Sequence, residues 1–497
     1  MNSLVFKLLA VPGNFSDLKN WSFLIQLFFI FIALLLGNSL RRKVPFLKRS
    51  LIPSAILAGG LILLMKAFLK YVVKADQAID NQMMETITYH CLGIGFIALA
   101  LKKTKKDERA SKTTILETGA ITVSGYLIQA IIGLASTTAI FFLVKYGVEH
   151  WSWNDNPIMW YSGLLLPLGF GQGTGQAYSW GATYQGLAEN NFNGGISFGL
   201  AIATIGFIIA SLGGVVYLAV LRKQGKIAPY KGDIKDETTL ETYETKNDIP
   251  AAESVDKLTI QVALVLTVYA LTFLFLYLVQ NFLIDNDILG KFGHNTLSPL
   301  LWGFNFLIGT LMAFLVKMVI NKLQKHKIMN REYTNNYLLD RIGGFAFDIM
   351  IVAGTAAIDF DSIKNLLIPL IIICVLGSAA TFVFVKIACN EIYKGYKHEA
   401  FLAMFGMLTG TASNGMILLR ELDPKYETPM ANNLVFQNLP AIVLGFPFLL
   451  LLSFAARSIT NAWITLAIII VYFIVLCIFL FRRRIFKKYK QNPESKA

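Results

Sequence analysis

Long apolar stretches separated by short polar ones run the length of this chain. Apolar segments of about twenty residues or more lie at 21–40, 51–69, 84–101, 113–144, 194–221, 258–283, 297–320, 341–358, 366–392, 433–456 and 461–481. A helix rises about 1.5 Å per residue and a bilayer core is about 30 Å thick, so each can cross as a helix. The pattern therefore predicts an all-α polytopic membrane protein with about eleven transmembrane helices. Two further segments, 158–185 and 399–424, are apolar at their ends and polar in the middle. The first contains GFGQGTGQAYSWGATY (169–184), with five glycines, two glutamines and no charge.

Composition agrees with this class. Hydrophobic residues make up 55% and charged ones 15% of the 497, where a soluble domain averages about 25% charged. The net charge of +14 could suggest nucleic acid, but its placement gives another reading. With loops assigned alternately and Arg41–Lys43 in the cytoplasm, segments 41–50, 102–112, 222–257, 321–341, 393–399 and 482–497 hold 32 of the 45 Lys and Arg. That is the positive-inside bias. It requires 158–185 and 399–424 each to enter and leave on one side, as re-entrant hairpins. The N-terminus is then outside and the C-terminus cytoplasmic, and the lipid bilayer, not nucleic acid, is the partner. The first span has no cleavage site and stays as an anchor. The four cysteines fall in or at the ends of spans, which argues against disulfides. The five histidines are scattered and no H-E-x-x-H occurs, so no transition-metal site, cofactor or enzyme activity is expected.

Segment 222–257 is charged and reads as a cytoplasmic linker. On either side the order of elements matches: four spans, a polar hairpin, a closing span. Residues 1–221 with hairpin 158–185 and residues 258–456 with hairpin 399–424 thus form two five-helix repeats. Five crossings is odd, so the second repeat is inverted, as in many secondary transporters. Residues 457–497 add an extra helix and a basic tail.

Irregular backbone at membrane depth must be enclosed by protein or line a cavity. Two glycine-rich tips entering from opposite sides would meet near the bilayer centre. There, helix N-termini offer N–H groups to an anion, and carbonyls and hydroxyls offer oxygens to Na⁺. Gln172, Gln176, Thr409, Ser413 and Asn414 add polar atoms that packing alone does not need. Intramembrane ionisable groups are functional candidates. Asp348 is one, with Thr355 seven residues later on the same helical face, and the pair suits a cation. Arg420 shares a face with Ser413 and could clamp a carboxylate, or anchor the hairpin at the surface. The ladder Gly199, Gly206, Gly213 with Ser197, Thr204 and Ser211 reads as helix packing, and Gln129 as an interhelical hydrogen bond.

The motifs IPSAILAGGL (52–61), GIGFIAL (93–99), GQGTGQA (171–177) and GMLTGTASNGMILLRELDP (406–424) resemble the bacterial sodium/glutamate symporter family over roughly 21–456. Where members of that family often have a histidine before Gly-Thr-Gly, this chain has Gln172. The resemblance implies inverted five-helix repeats with re-entrant hairpins, a dimer, elevator-type motion, and Na⁺-coupled glutamate uptake across a bacterial inner membrane. It carries over Gly171, Gln172, Gly173, Thr174 and Gly175 with Thr409, Gly410, Thr411, Ser413 and Asn414. The expectation is sodium-coupled symport of glutamate or a similar small anionic amino acid or dicarboxylate. Gly171, Asp348, Thr355, Thr409 and Gly410 are assigned to the ion. Gln172 to Gln176, Thr411, Ser413, Asn414 and Arg420 are assigned to the solute. A proton-coupled or uncoupled transporter or channel for another organic anion is the alternative.

Overall fold

The computed structural model describes residues 18–74, 79–103, 111–147, 158–187, 189–227, 257–290, 293–329, 333–424 and 427–490, and every regular element among them is a helix. In chain order the main ones are α1 (Leu18–Lys43), α2 (Ser54–Phe68), α3 (Asn81–Leu101), α4 (Lys112–Gly147), the short pair α5 (Leu165–Gly171) and α6 (Thr174–Gln185), and α7 (Gly195–Lys223). Then follow α8 (Lys257–Val279), α9 (Asn305–Lys325), α10 (Asn336–Ala356), α11 (Leu367–Ile392), the pair α12 (Lys397–Thr409) and α13 (Ala412–Arg420), α14 (Met430–Phe436), α15 (Asn438–Ala456) and α16 (Ile459–Lys490). The expected linker lies almost wholly outside the described residues.

Ten described helices are long and apolar enough to cross a membrane, one fewer than the eleven expected. The expected span 341–358 is the exception. It forms α10, a 21-residue helix, but Asp340, Arg341 and Asp348 put three charges within it. The expected span 433–456 is interrupted at Gln437, between α14 and α15. Large apolar side chains point outward along the spans: Leu35 of α1 is 72% exposed, and Phe273 of α8 and Val471 of α16 are also exposed. Such faces are costly in water and suit acyl chains.

Lipid is as apolar as leucine, so helices in a bilayer associate through close packing, which small residues permit. Gly133 of α4 and Gly163 face each other so closely that a methyl on either would overlap the other's carbonyl. Gly181 and Gly195 do the same between α6 and α7: an added Cβ would stand 2.5 or 2.8 Å from the opposing carbonyl oxygen.

Polar contacts sort the loops into two rims. On one rim Lys70 pairs with Asp361, Asp359 N–H donates to Ser197 Oγ at 2.9 Å, Tyr161 donates to Asn190 O, and Asn190 donates to Arg457 O at 3.3 Å. On the other, Lys102 pairs with Asp340 at 2.6 Å, Arg222 with Glu421 at 4.0 Å, and Arg482 with the buried Glu117 at 2.7 Å. Alternating loop assignment produces the same grouping.

Both polar segments fold back as helical hairpins. In hairpin 1 (α5–α6), Tyr161 before the first arm stacks edge-on against Tyr184 of the second, centroids 4.7 Å apart. In hairpin 2 (α12–α13), a Cβ on Gly406 would lie 3.0 Å from Gly415 Cα. Helix α7 runs between them like a rail. Its start meets hairpin 1 at Gly195 and at Gly199, where Ala177 O is closest. Its end meets hairpin 2, with Gly213 against Phe405 and the Tyr217 ring tilted at 41° to that of Phe401, centroids 4.1 Å apart. Gly206, between these, touches Phe170 and the Thr409 carbonyl. The glycine ladder is thus a packing surface, and the two hairpins approach it from opposite ends.

Candidate functional site

Each hairpin turns at a glycine. Helix α5 ends at Gly171, Gln172 caps it, and Gly173 adopts φ 86°, ψ −173° before α6 starts at Thr174. A side chain at that φ is strained, which explains the glycine. Because Gly173 has no side chain, no side-chain cap reaches the first-turn N–H groups of α6. Helix α12 ends at Thr409, Gly410 takes φ −150°, and Thr411 caps α13, its hydroxyl accepting from Asn414 N–H at 3.4 Å. The two turns face each other across a gap that one methyl would fill. A Cβ on Gly173 would stand 3.4 Å from Thr411 Cγ2 and 3.7 Å from Gly410 O.

The other predicted residues are placed as follows. Thr174 is buried against Gly354 of α10, with Thr88 of α3 also there. Gly175 packs on Leu92 and Gly171 on Tyr126. Gln172 is half-buried. Gln176 is 1% exposed, and both atoms of its amide lack a hydrogen-bond partner. The buried Asn414 likewise has an unpartnered Nδ2. Buried polar atoms are rarely left so, and these four-bond-capable amides flank the tips. Thr409 spends its hydroxyl on Phe405 O at 2.7 Å. Ser413 is exposed next to the turn.

Thr355 is buried with its hydroxyl 3.4 Å from that of Thr204, and Gly59 of α2 abuts it. Thr88, Thr174, Thr204 and Thr355 therefore gather where α3, α6, α7 and α10 cross. Asp348 stands two turns before Thr355 and is exposed. Arg420 is not brought to the tips. It is exposed at the far end of α13, about 12 Å along that helix from Ala412. Its neighbour Glu421 reaches Arg222. Burial raises the Glu421 carboxyl above its usual range, while Arg222 and Arg420 pull it back.

Gln129 of α4 does form an interhelical bond, and more. Its Nε2 donates to Thr381 of α11 at 3.0 Å and to Leu408 O of hairpin 2 at 2.7 Å. A Cβ on Gly171 would be 3.3 Å from its Oε1, so one side chain stands between both hairpins. Thr88, Thr204 and Gly354 were not singled out as site residues from sequence. For Thr204 the seven-residue spacing of Ser197, Thr204 and Ser211 is the available signal, and it fits packing as well; Thr88 and Gly354 carry none.

Chemically, the junction is neutral. It offers helix N-termini to an anion, and hydroxyls, amides and the terminal carbonyls of α5 and α12 to a hard cation. No curated protein matches the chain. The model of the sodium/glutamate symporter family matches residues 21–422, from α1 through α13, and leaves α14 to α16 beyond its end. IPSAILAGGL and GIGFIAL now have a physical sense: Gly59 admits Thr355, Gly93 admits Tyr269, and Gly95 admits Phe347. A multi-pass helical membrane protein with a match across most of its length, this chain belongs to the sodium/glutamate symporter family.

Proposed function

We propose that this chain imports glutamate, or a similar small anionic amino acid or dicarboxylate, together with Na⁺, and that the solute binds where the hairpin tips meet. The observation that carries the reading is the close approach of Gly173 to Gly410 and Thr411, which a single methyl would bridge. The α6 amides, Gln172, Gln176, Thr411, Ser413 and Asn414 take the solute. Gly171, Thr409, Gly410 and Thr355 offer oxygens to the cation, and the exposed Asp348, two turns earlier on α10, is the carboxylate assigned to the same ion. Arg420 serves the solute only at the mouth of hairpin 2. A cation bound beside the anion offsets charge that is costly in low dielectric, which gives coupling a physical cause.

Residues 1–221 and 258–456 are inverted repeats whose re-entrant hairpins move as an elevator against the remaining helices, in a homodimer of the bacterial inner membrane. The rim carrying Lys102, Arg222 and Arg482 is cytoplasmic because the basic loops lie there. The N-terminus is then outside and the C-terminus inside.

The test is uptake of labelled L-glutamate into proteoliposomes, with and without an inward Na⁺ gradient, against a panel of amino acids and dicarboxylates. Na⁺-driven glutamate accumulation is expected. Uptake indifferent to Na⁺, but driven by a proton gradient and lost in Asp348→Asn, replaces Na⁺ by H⁺ as coupling ion. Exposed Asp348, the carboxylate on the Thr355 face of α10, is what favours that second reading. Absence of concentrative uptake under either gradient overturns symport.

A further inference from the structure

A cavity of about 580 Å³ opens on the rim of hairpin 1, between α1, α2, the start of α3 and the α10–α11 connection. Its lining includes Gln26, Lys66, Lys70, Asp80, Asp359 and Asp361. We propose that it is an entry vestibule that holds the zwitterion of an α-amino acid before the solute reaches the hairpin tips. The proposal rests on the reading of this chain as an amino-acid importer, and adds to it a second site.

The size suits a small solute, and the chemistry suits a zwitterion. Two ammonium groups and three carboxylates share one cavity. Lys70 and Asp361 pair across it with side chains 35% and 52% exposed. An exposed ion pair is weakly held, so its halves can exchange partners. The solute's carboxylate goes to Lys70 and its ammonium to Asp361. No isolated charge is buried, since each ion leaves one opposite charge for another.

Lys66 is held more firmly. Its Nζ donates to Asn81 Oδ1 at 2.5 Å, Ala356 O at 3.1 Å and Ile358 O at 3.2 Å. It closes the cavity floor against the end of α10. The floor leads to the tips along one surface. Lys66 and Leu63 follow Gly59 by seven and four residues, hence one face of α2, Lys70 stands in the turn just beyond that helix, and Gly59 abuts Thr355. A plain dicarboxylate has nothing to give Asp361, so the vestibule selects amino acids.

Equilibrium dialysis of the full-length protein with labelled L-glutamate in Na⁺ tests this. Wild type is expected to bind two glutamates per chain and K70Q/D361N one. In proteoliposomes the KM of that variant rises about fivefold, the scale of an exposed ion pair, while Vmax changes by less than twofold. The swapped pair K70D/D361K, which keeps both charges, regains the second glutamate. Glutarate displaces only one glutamate from wild type. One glutamate per chain in wild type, or two retained in K70Q/D361N, overturns the vestibule and leaves Na⁺-driven uptake standing. If no glutamate binds and none is taken up, the importer reading falls with it.

Discussion

Hairpin 1 is enclosed on all sides: from Tyr161 to Ala177 every residue is buried except Gln172. The first arm of hairpin 2 is as deeply buried, from Ala400 to Gly410, but its second arm leaves Ala412, Ser413 and Arg420 exposed. Their caps differ in the same direction. Gly173 cannot cap α6, so no side chain occupies the first-turn amides of that helix; Thr411 already occupies one amide of α13. Two segments of similar sequence therefore do unequal work. On the proposed reading, the enclosed, uncapped tip is the anion receptor, and the capped, open one is the side from which solute leaves to the cytoplasm.

Substituting the two tip glycines by alanine breaks the comparison most forcefully. Gly173→Ala forces a side chain to φ 86°, a strain of about 1–3 kcal/mol. Na⁺-driven uptake is expected to fall about ten- to hundredfold. Gly410, at φ −150°, ψ −106°, lies outside the left-handed region; an added Cβ there would overlap the Asn414 amide and stand 3.1 Å from the Gly406 carbonyl oxygen, so the Asn414 side chain has to give way. Gly410→Ala should cost only a few-fold. Equal losses would mean that the hairpins are functionally alike.

A smaller effect sharpens the same contrast. Thr411→Val keeps the shape of the side chain and removes the cap, worth about 1 kcal/mol. Hydrogen exchange is expected to speed up at 412–415 and to stay unchanged at 174–177, with a KM increase of about threefold. Faster exchange in both tips would show that they are held by one shared network.

How much of this was legible in the sequence follows from what makes each feature. Apolar length alone predicts a span, so ten helices were readable from composition. For α10 the same rule met Asp340, Arg341 and Asp348, all three exposed in the fold, with Asp340 paired to Lys102 at the rim. The hairpins were readable because charge placement demanded that each return to its own side, and because Gly-Thr-Gly has no reason to sit in a plain span. The threonine cluster was not. Thr88, Thr204 and Thr355 lie in three separate helices, and a pattern along one chain says nothing about which helices cross. Gln129 shows the same limit: its type announced an interhelical bond, but not that the bond would reach Leu408 O beside the second tip.

Arg420 decides between two uses of hairpin 2 and carries the smallest expected change. Sequence placed it on the Ser413 face, where a guanidinium could hold a carboxylate. In the fold it lies about 12 Å from the turn, next to a Glu421 that already faces Arg222. A guanidinium side chain extends only about half that distance, so a clamp at the tips needs hairpin 2 to bend. Arg420→Ala is expected to lower uptake less than threefold, and Arg420→Lys not at all, because an exposed charge near a surface pair contributes under about 1 kcal/mol. A loss above tenfold in Arg420→Ala, undiminished in Arg420→Lys, would reveal bidentate recognition that lysine cannot reproduce. Hairpin 2 would then be a receptor in its own right, and the contrast with hairpin 1 would lie in timing, not in role.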